Sequence, residues 1–174
     1  TEELQEKTSS IARFIDATIQ MVRRISSEIR PGVLDRLGLA AAIEWQAQEF
    51  QSRTGIKCTL PPNFEGLKLD RDLATSIFRI FQEALTNVAR HADATRVDVC
   101  LKHESGNLML EVRDNGKGIP EGALSDPKSV GLLGMKERAL AFGGRVNVVG
   151  NPGIGTRVIL VIPCGPAENN VETS

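Results

Sequence analysis

Residues 70–91 read DRDLATSIFRIFQEALTNVARH, and this stretch decides the fold. Leu73, Ile77, Ile80, Phe81, Ala84, Leu85 and Val88 keep helical spacing over several turns, and Asp70 is placed to cap the first. Glu83, Asn87 and His91 recur every four residues, so a continuous helix sets them on one face. Polar groups stacked on a stripe of an apolar helix point into a cleft, because burying them unpaired costs several kcal/mol. A carboxylate and an amide oxygen one turn apart suit a hard cation such as Mg²⁺, which takes oxygen ligands and keeps several waters. The plainer alternative is a solvent-exposed polar face.

Outward from this helix, strands and turns follow on the C-terminal side. Residues 96–103 and 107–113 are strands joined at Ser105-Gly106, a hairpin turn. After a loop rich in Gly, Pro and Asp, residues 132–142 form a helix stopped by Gly143-Gly144. Residues 145–149 and 156–162 are strands flanking Gly150-Asn151-Pro152-Gly153-Ile154-Gly155. On the N-terminal side, residues 56–60 alternate as a strand, and residues 38–54 form a helix with Gly55 as its stop. Pro31-Gly32 separates that helix from an earlier one over the first thirty residues. There Thr8, Ile15, Val22 and Ile29 form one heptad line, and Leu4, Ile11, Thr18 and Ile25 the other. Helices and antiparallel strands sharing one core give a two-layer α/β sandwich, with helices on one face of the sheet, behind a long helix.

Composition excludes several classes. With 174 residues, 41% hydrophobic and 25% charged, the chain is neither disordered, collagenous nor a disulfide mini-protein. No apolar run approaches the roughly 18 residues of a membrane span. A net charge of -1 argues against a dedicated nucleic-acid binder. No secretory leader is read at the start, and a first residue of Thr points to a piece of a longer protein. Cys58, Cys100 and Cys164 are scattered, form no C-x-x-C pair, and are expected as reduced, mostly buried thiols in the cytosol. The heptad helix has little else in so short a chain to cover it, which favours self-association over docking on its own domain.

Three glycine-rich segments join the helical stripe. Asp114-Asn115-Gly116-Lys117-Gly118 follows a strand; an Asp there accepts from an exocyclic amine, and Gly116 and Gly118 let backbone approach a ligand. A plain turn is the alternative. Gly131-Leu132-Leu133-Gly134-Met135 opens a helix, leaving free N–H groups at its positive end, where phosphate binds; a hinge is the alternative. Gly153-Ile154-Gly155-Thr156 brings a hydroxyl near the same sheet, or is simply a hairpin turn. Neither G-x-x-x-x-G-K-[ST] nor a strand-to-helix G-x-G-x-x-G occurs, so a nucleotide would bind in another way.

The order and spacing of these four segments resemble the N box, G1 box, G2 box and closing G-x-G-T of the GHKL (Bergerat) ATP-binding superfamily. Within it, residues 81–92, FQEALTNVARHA, and 131–139, GLLGMKERA, are similar to nitrate-sensor-type sensor histidine kinases. So is RPGVLDRLGL, residues 30–39, which resembles the join between dimerisation helix and catalytic domain. The resemblance implies a mixed sheet with helices on one face. It also implies residues 1–30 as the second, partial helix of a dimerisation hairpin, 31–163 as the ATP-binding catalytic domain, and 164–174 as a flexible tail.

For individual residues the resemblance implies that Asp114 reads the adenine amine with support from Thr156, while Asn87 ligates a phosphate-bridging Mg²⁺. Glu83 helps activate the reaction or order water, and Arg90 and His91 lie near the phosphates. Gly116 and Gly118 let the G1 loop close, Gly131 and Gly134 flank a lid over residues 119–130, and Gly155 precedes Thr156 in the closing motif. The implied reaction is transfer of the ATP γ-phosphoryl group to a histidine for relay to a response regulator. The chain departs from the family in one respect: its two histidines, His91 and His103, both lie outside the N-terminal helix. The expected acceptor histidine therefore precedes Thr1, and this chain alone is expected to bind ATP without phosphorylating itself. The implied partners are a second copy through the N-terminal helix, the acceptor helix and a response regulator. Neither nucleic acid nor a membrane is expected to contact this segment, and a cytoplasmic location is expected for it, with a membrane anchor elsewhere in the parent protein left open. The competing classes are a GHKL ATPase or anti-sigma-type serine kinase, and an interaction module with a decayed nucleotide site.

Overall fold

The computed structural model describes residues 32–61, 69–119 and 130–164. The long helix expected over residues 1–30, the lid segment 120–129 and the tail 165–174 lie outside the described residues.

Helix α1 is Gly32–Thr54, interrupted at Gly38 by a backbone of φ 81° and ψ -178°. The sequence reading started this helix at Gly38, and the interruption falls on that residue because glycine tolerates positive φ. Beyond the break Leu39, Ala42, Ile43, Ala47 and Phe50 are buried on one side. Strand β1, Lys57–Thr59, is shorter than expected and pairs with β2, Arg96–Glu104, in parallel. This parallel pair departs from the antiparallel strands read from the residue pattern and gives the mixed sheet that the resemblance implies. An intervening helix supplies the crossover that a parallel pair needs.

That helix, α2, is Arg71–Asn87. The Asp70 carboxylate accepts from the N–H groups of Asp72 at 2.9 Å and Leu73 at 3.3 Å, as an N-cap does. The expected helix to His91 is corrected at its end: Val88–Ala92 is a π-helical turn, closed by Asp93 in the left-handed region. Strands β2 and β3, Asn107–Asp114, meet at Ser105 and Gly106, both with positive φ (52° and 73°), as a type I′ hairpin requires. Helix α3, Val130–Leu140, ends in a Schellman motif: Gly143 N–H donates to Leu140 O and Gly144 N–H to Ala139 O, each at 2.9 Å. Strands β4, Arg145–Asn151, and β5, Gly155–Pro163, complete the sheet order β1-β2-β3-β5-β4.

The core lies between the helices and one sheet face. Phe78, Phe81, Ile77, Ile80 and Leu85 of α2 and Met135 of α3 are fully buried with Leu108, Leu110, Leu160 and Ile162 of the central strands. On the other face Arg157 grips Glu111 through two bonds of 2.7 Å. The three cysteines are free and half-buried rather than buried. Burial, and then the charge of Asp98, pushes the Cys58 thiol up to about 11. It therefore stays protonated and unreactive near neutral pH.

The bonds from Asp72 N–H, and then from Leu73 N–H, hold the Asp70 carboxyl below its ordinary 3.8. A depressed carboxyl pKa stabilises the fold above the unfolded value and loses that contribution as pH falls through the folded one. Urea midpoints of wild type and Asp70→Ala are expected to differ at neutral pH, with wild type higher. The gap should close as the pH drops below 3.8.

Candidate functional site

Leu108, Leu110 and Val112 alternate along β3 toward the core, and the next residue in that row is Asp114. A carboxylate thus ends an otherwise apolar row, only 5% exposed. Its Oδ1 accepts from the Gly116 N–H at 2.8 Å, its one hydrogen bond among the described residues. The antiparallel register of β3 with β5 ends at Arg113 opposite Arg157, so one step further Asp114 faces Thr156. Thr156 is 8% exposed. Among the described residues one other polar side chain is as buried, Ser76, and its hydroxyl is spent on Arg138 O at 3.1 Å. Buried polar groups are normally paired. A carboxylate and a hydroxyl side by side with bonds still to make therefore mark a place where a polar ligand edge completes the set.

The loop after Asp114 is held from three sides. The Asn115 amide oxygen accepts from Thr95 N–H at 3.0 Å and Arg96 N–H at 2.9 Å, while its nitrogen donates to Thr95 Oγ1 at 2.9 Å. Lys117 N–H donates to Ala92 O at 2.8 Å, and Lys117 O accepts from Gly153 N–H at 2.8 Å. Gly116 is buried against Ala92, and a Cβ there would collide with the Ala92 carbonyl. At Gly155, φ is +133° and a Cβ would strike the Asp114 carbonyl, so this backbone approach requires glycine. Gly118 lies against Asn151 O in the β4–β5 turn. Asn115 was not singled out from sequence; its signal was the D-N-G turn itself.

The second half of the site lies where α2 meets α3. Glu83 and Asn87 are half-buried one turn apart. The expected third member of their stripe is displaced, because a π turn bonds i to i+5 and rotates His91 away from helical register. Arg90 and His91 are both exposed on that turn. A Cβ at Gly131 would collide with Glu83 Oε1, so the acid lies against the first turn of α3. At Gly134 an added Cβ would meet the Arg138 guanidinium at 2.9 Å. The structure thus brings Asp114, Gly116, Gly118, Gly155 and Thr156 into one cluster and Glu83 and Gly131 into another. The end of α2 joins them through Ala92.

No group of three or more His, Cys, Asp or Glu able to hold a metal occurs among the described residues. A cation here would take one side-chain amide oxygen, from Asn87, and find its other ligands in substrate and water. That donor set fits Mg²⁺, which keeps waters and binds through phosphates rather than in an all-protein cage.

Comparison with known proteins agrees with this geometry. The model of the histidine kinase-, DNA gyrase B- and HSP90-like ATPase family matches residues 72–166. The oxygen sensor histidine kinase NreB of Staphylococcus carnosus is 36% identical over 164 residues, covering 93% of this chain and 47% of that protein. The histidine kinase domain of the blue-light activated kinase of Erythrobacter litoralis EL346 superposes with a TM-score of 0.64 at 26% identity, over 72% of this chain and 61% of that one. The ATP-binding domain of PrrB from Mycobacterium tuberculosis shares the fold, with a TM-score of 0.57 at 22% identity, over 72% of this chain and 92% of that one. The chain belongs to the histidine kinase-, DNA gyrase B- and HSP90-like ATPase family. It spans about half the length of the curated relative it matches.

Gly155→Ala is expected to lower the unfolding free energy by at least about 2 kcal/mol, from backbone strain and collision with the Asp114 carbonyl. Gly32→Ala, where an added Cβ meets nothing within 4 Å, should stay within about 0.5 kcal/mol. Chemical denaturation of both variants checks this.

Proposed function

We propose that this chain is the ATP-binding catalytic domain of a two-component sensor histidine kinase. The observation that carries the reading is the buried Asp114–Thr156 pair, an acceptor and a hydroxyl with unmade bonds at the end of a core row. An adenine edge offers the exocyclic amine such an acceptor needs, and Thr156 supports the same edge directly or through water. The glycine-held loop after Asp114 admits the flat base.

At the other end, Asn87 would hold Mg²⁺ beside the phosphates. The metal supplies neutralisation of the charge on the transferring group, and positioning does most of the remaining work. Arg90 and His91, exposed on the π turn that follows α2, lie on the phosphate side. Glu83 serves the reacting end, taking the proton that the nucleophilic imidazole sheds or ordering water beside it. In the transfer, the bond between the γ-phosphorus and the bridging oxygen breaks. A phosphorus–nitrogen bond forms to the acceptor histidine, and ADP leaves. NreB is a sensor histidine kinase by name, which supports an acceptor histidine on a dimerisation helix and relay to a response regulator. Residues 1–30 are read as part of that helix pairing with a second copy. No helix among the described residues is long and apolar enough to cross a membrane.

Calorimetric titration with ATP tests the pocket. Asp114→Asn is expected to weaken binding roughly tenfold to a hundredfold, the worth of about 1.5–3 kcal/mol for a hydrogen bond to a charged group. Equal affinity in wild type and variant would remove the reading. Asn87→Ala should abolish the gain in affinity that Mg²⁺ gives over EDTA while leaving metal-free binding in place. Sedimentation should show concentration-dependent association that disappears when residues 1–29 are deleted.

A further inference from the structure

Gly131 is the second residue of α3, and its surroundings differ from those of the three glycines around Asp114. At Gly116, Gly118 and Gly155 an added Cβ runs into backbone. At Gly131 the three nearest atoms all belong to one side chain: Glu83 Oε1, which would collide, Cδ at 3.0 Å and Cγ at 3.6 Å. The missing side chain therefore makes room for a carboxylate and for no other described group as close. That carboxylate comes from α2 and rests against the first turn of α3, where free backbone N–H groups and the helix dipole favour an anion. A substitution here would displace the end of a flexible side chain, leaving the packed backbone in place.

We propose that Gly131 is a positioning residue for Glu83. The first glycine of the Gly131-Leu132-Leu133-Gly134 segment acts on the reaction through the acid it seats. The inference rests on the reading that Glu83 serves the reacting end. Any side chain at position 131 pushes the carboxylate off the helix start and away from the nucleophile. Displacements of about 1 Å cost up to about a hundredfold in rate.

The test is a cycle of four full-length chains: wild type, Gly131→Ala, Glu83→Asp and the double variant. Each is assayed for ATP affinity and for single-turnover phosphotransfer to a histidine-bearing helical hairpin supplied in trans. Gly131→Ala is expected to keep its ATP Kd within about threefold and to lose about tenfold or more in transfer rate. Aspartate is one methylene shorter, so its oxygens fall about where Glu83 Cδ lies, 3.0 Å from an alanine Cβ at 131, and the collision is relieved. In the Glu83→Asp background the same substitution should therefore cost less than about threefold. An equal penalty in both backgrounds, or a rise in Kd that accounts for the lost rate, overturns the inference. Should Gly131→Ala melt early, the substitution is repeated in Glu83→Ala, where the collision partner is gone. The double variant should melt with Glu83→Ala, and an early melt there also overturns it. A wild-type chain that binds no ATP defeats the functional reading itself, a result distinct from any of these.

Discussion

One carboxylate placed where the core row should continue apolar constrains the rest of the site. Asp114 occupies a position that burial would normally reserve for Val or Leu, and desolvating a charged group there costs more than any single surface contact returns. The chain offsets part of that cost with the Gly116 N–H. Keeping that donor in place requires the loop after β3 to turn tightly. The turn is held by Asn115 against Thr95 and Arg96, and by Lys117 against Ala92 and Gly153. Gly155 then brings β5 close enough to set Thr156 beside the carboxylate. Each of these restraints answers to the same buried acid.

The end of α2 is common to both halves of the site. Its α-helical part sets Glu83 against α3, and the π turn that follows presents the Ala92 carbonyl to the loop after Asp114. Ala92 is the last residue of that turn, so its carbonyl has no partner within the helix and is left to accept from the Lys117 N–H. The helix that carries Asn87 is thereby tied by hydrogen bond to the loop that follows Asp114.

Local signals were legible in the sequence wherever a residue type has one conformational meaning. Ser105-Gly106 gave away the hairpin, Gly143-Gly144 the end of α3, and Asp70 the start of α2. The break at Gly38 was visible, but the helical turn before it was not. Alternation within β1 says nothing about the direction of its partner, so the mixed sheet was legible from the resemblance and not from the strand pattern. The π turn was missed because counting in fours assumes one uniform helix. Among the site residues, the pattern carried Asp114 and Thr156, whose row parity the structure extends directly. It could not carry the contact of Glu83 with Gly131, which depends on how two helices 48 positions apart in sequence pack together.

The Ser76 hydroxyl bond to Arg138 O has a mechanical consequence. It ties α3 to α2 near the C-terminal end of α3, where the Schellman turn and the buried Ala139 also anchor it. Gly131 lies seven residues upstream, about 10 Å along the axis. A helix tilting about that anchored end would act as a lever with its fulcrum at Ser76. A tilt of about ten degrees, which the fulcrum scarcely registers, swings the tip over Glu83 by nearly 2 Å on that arm.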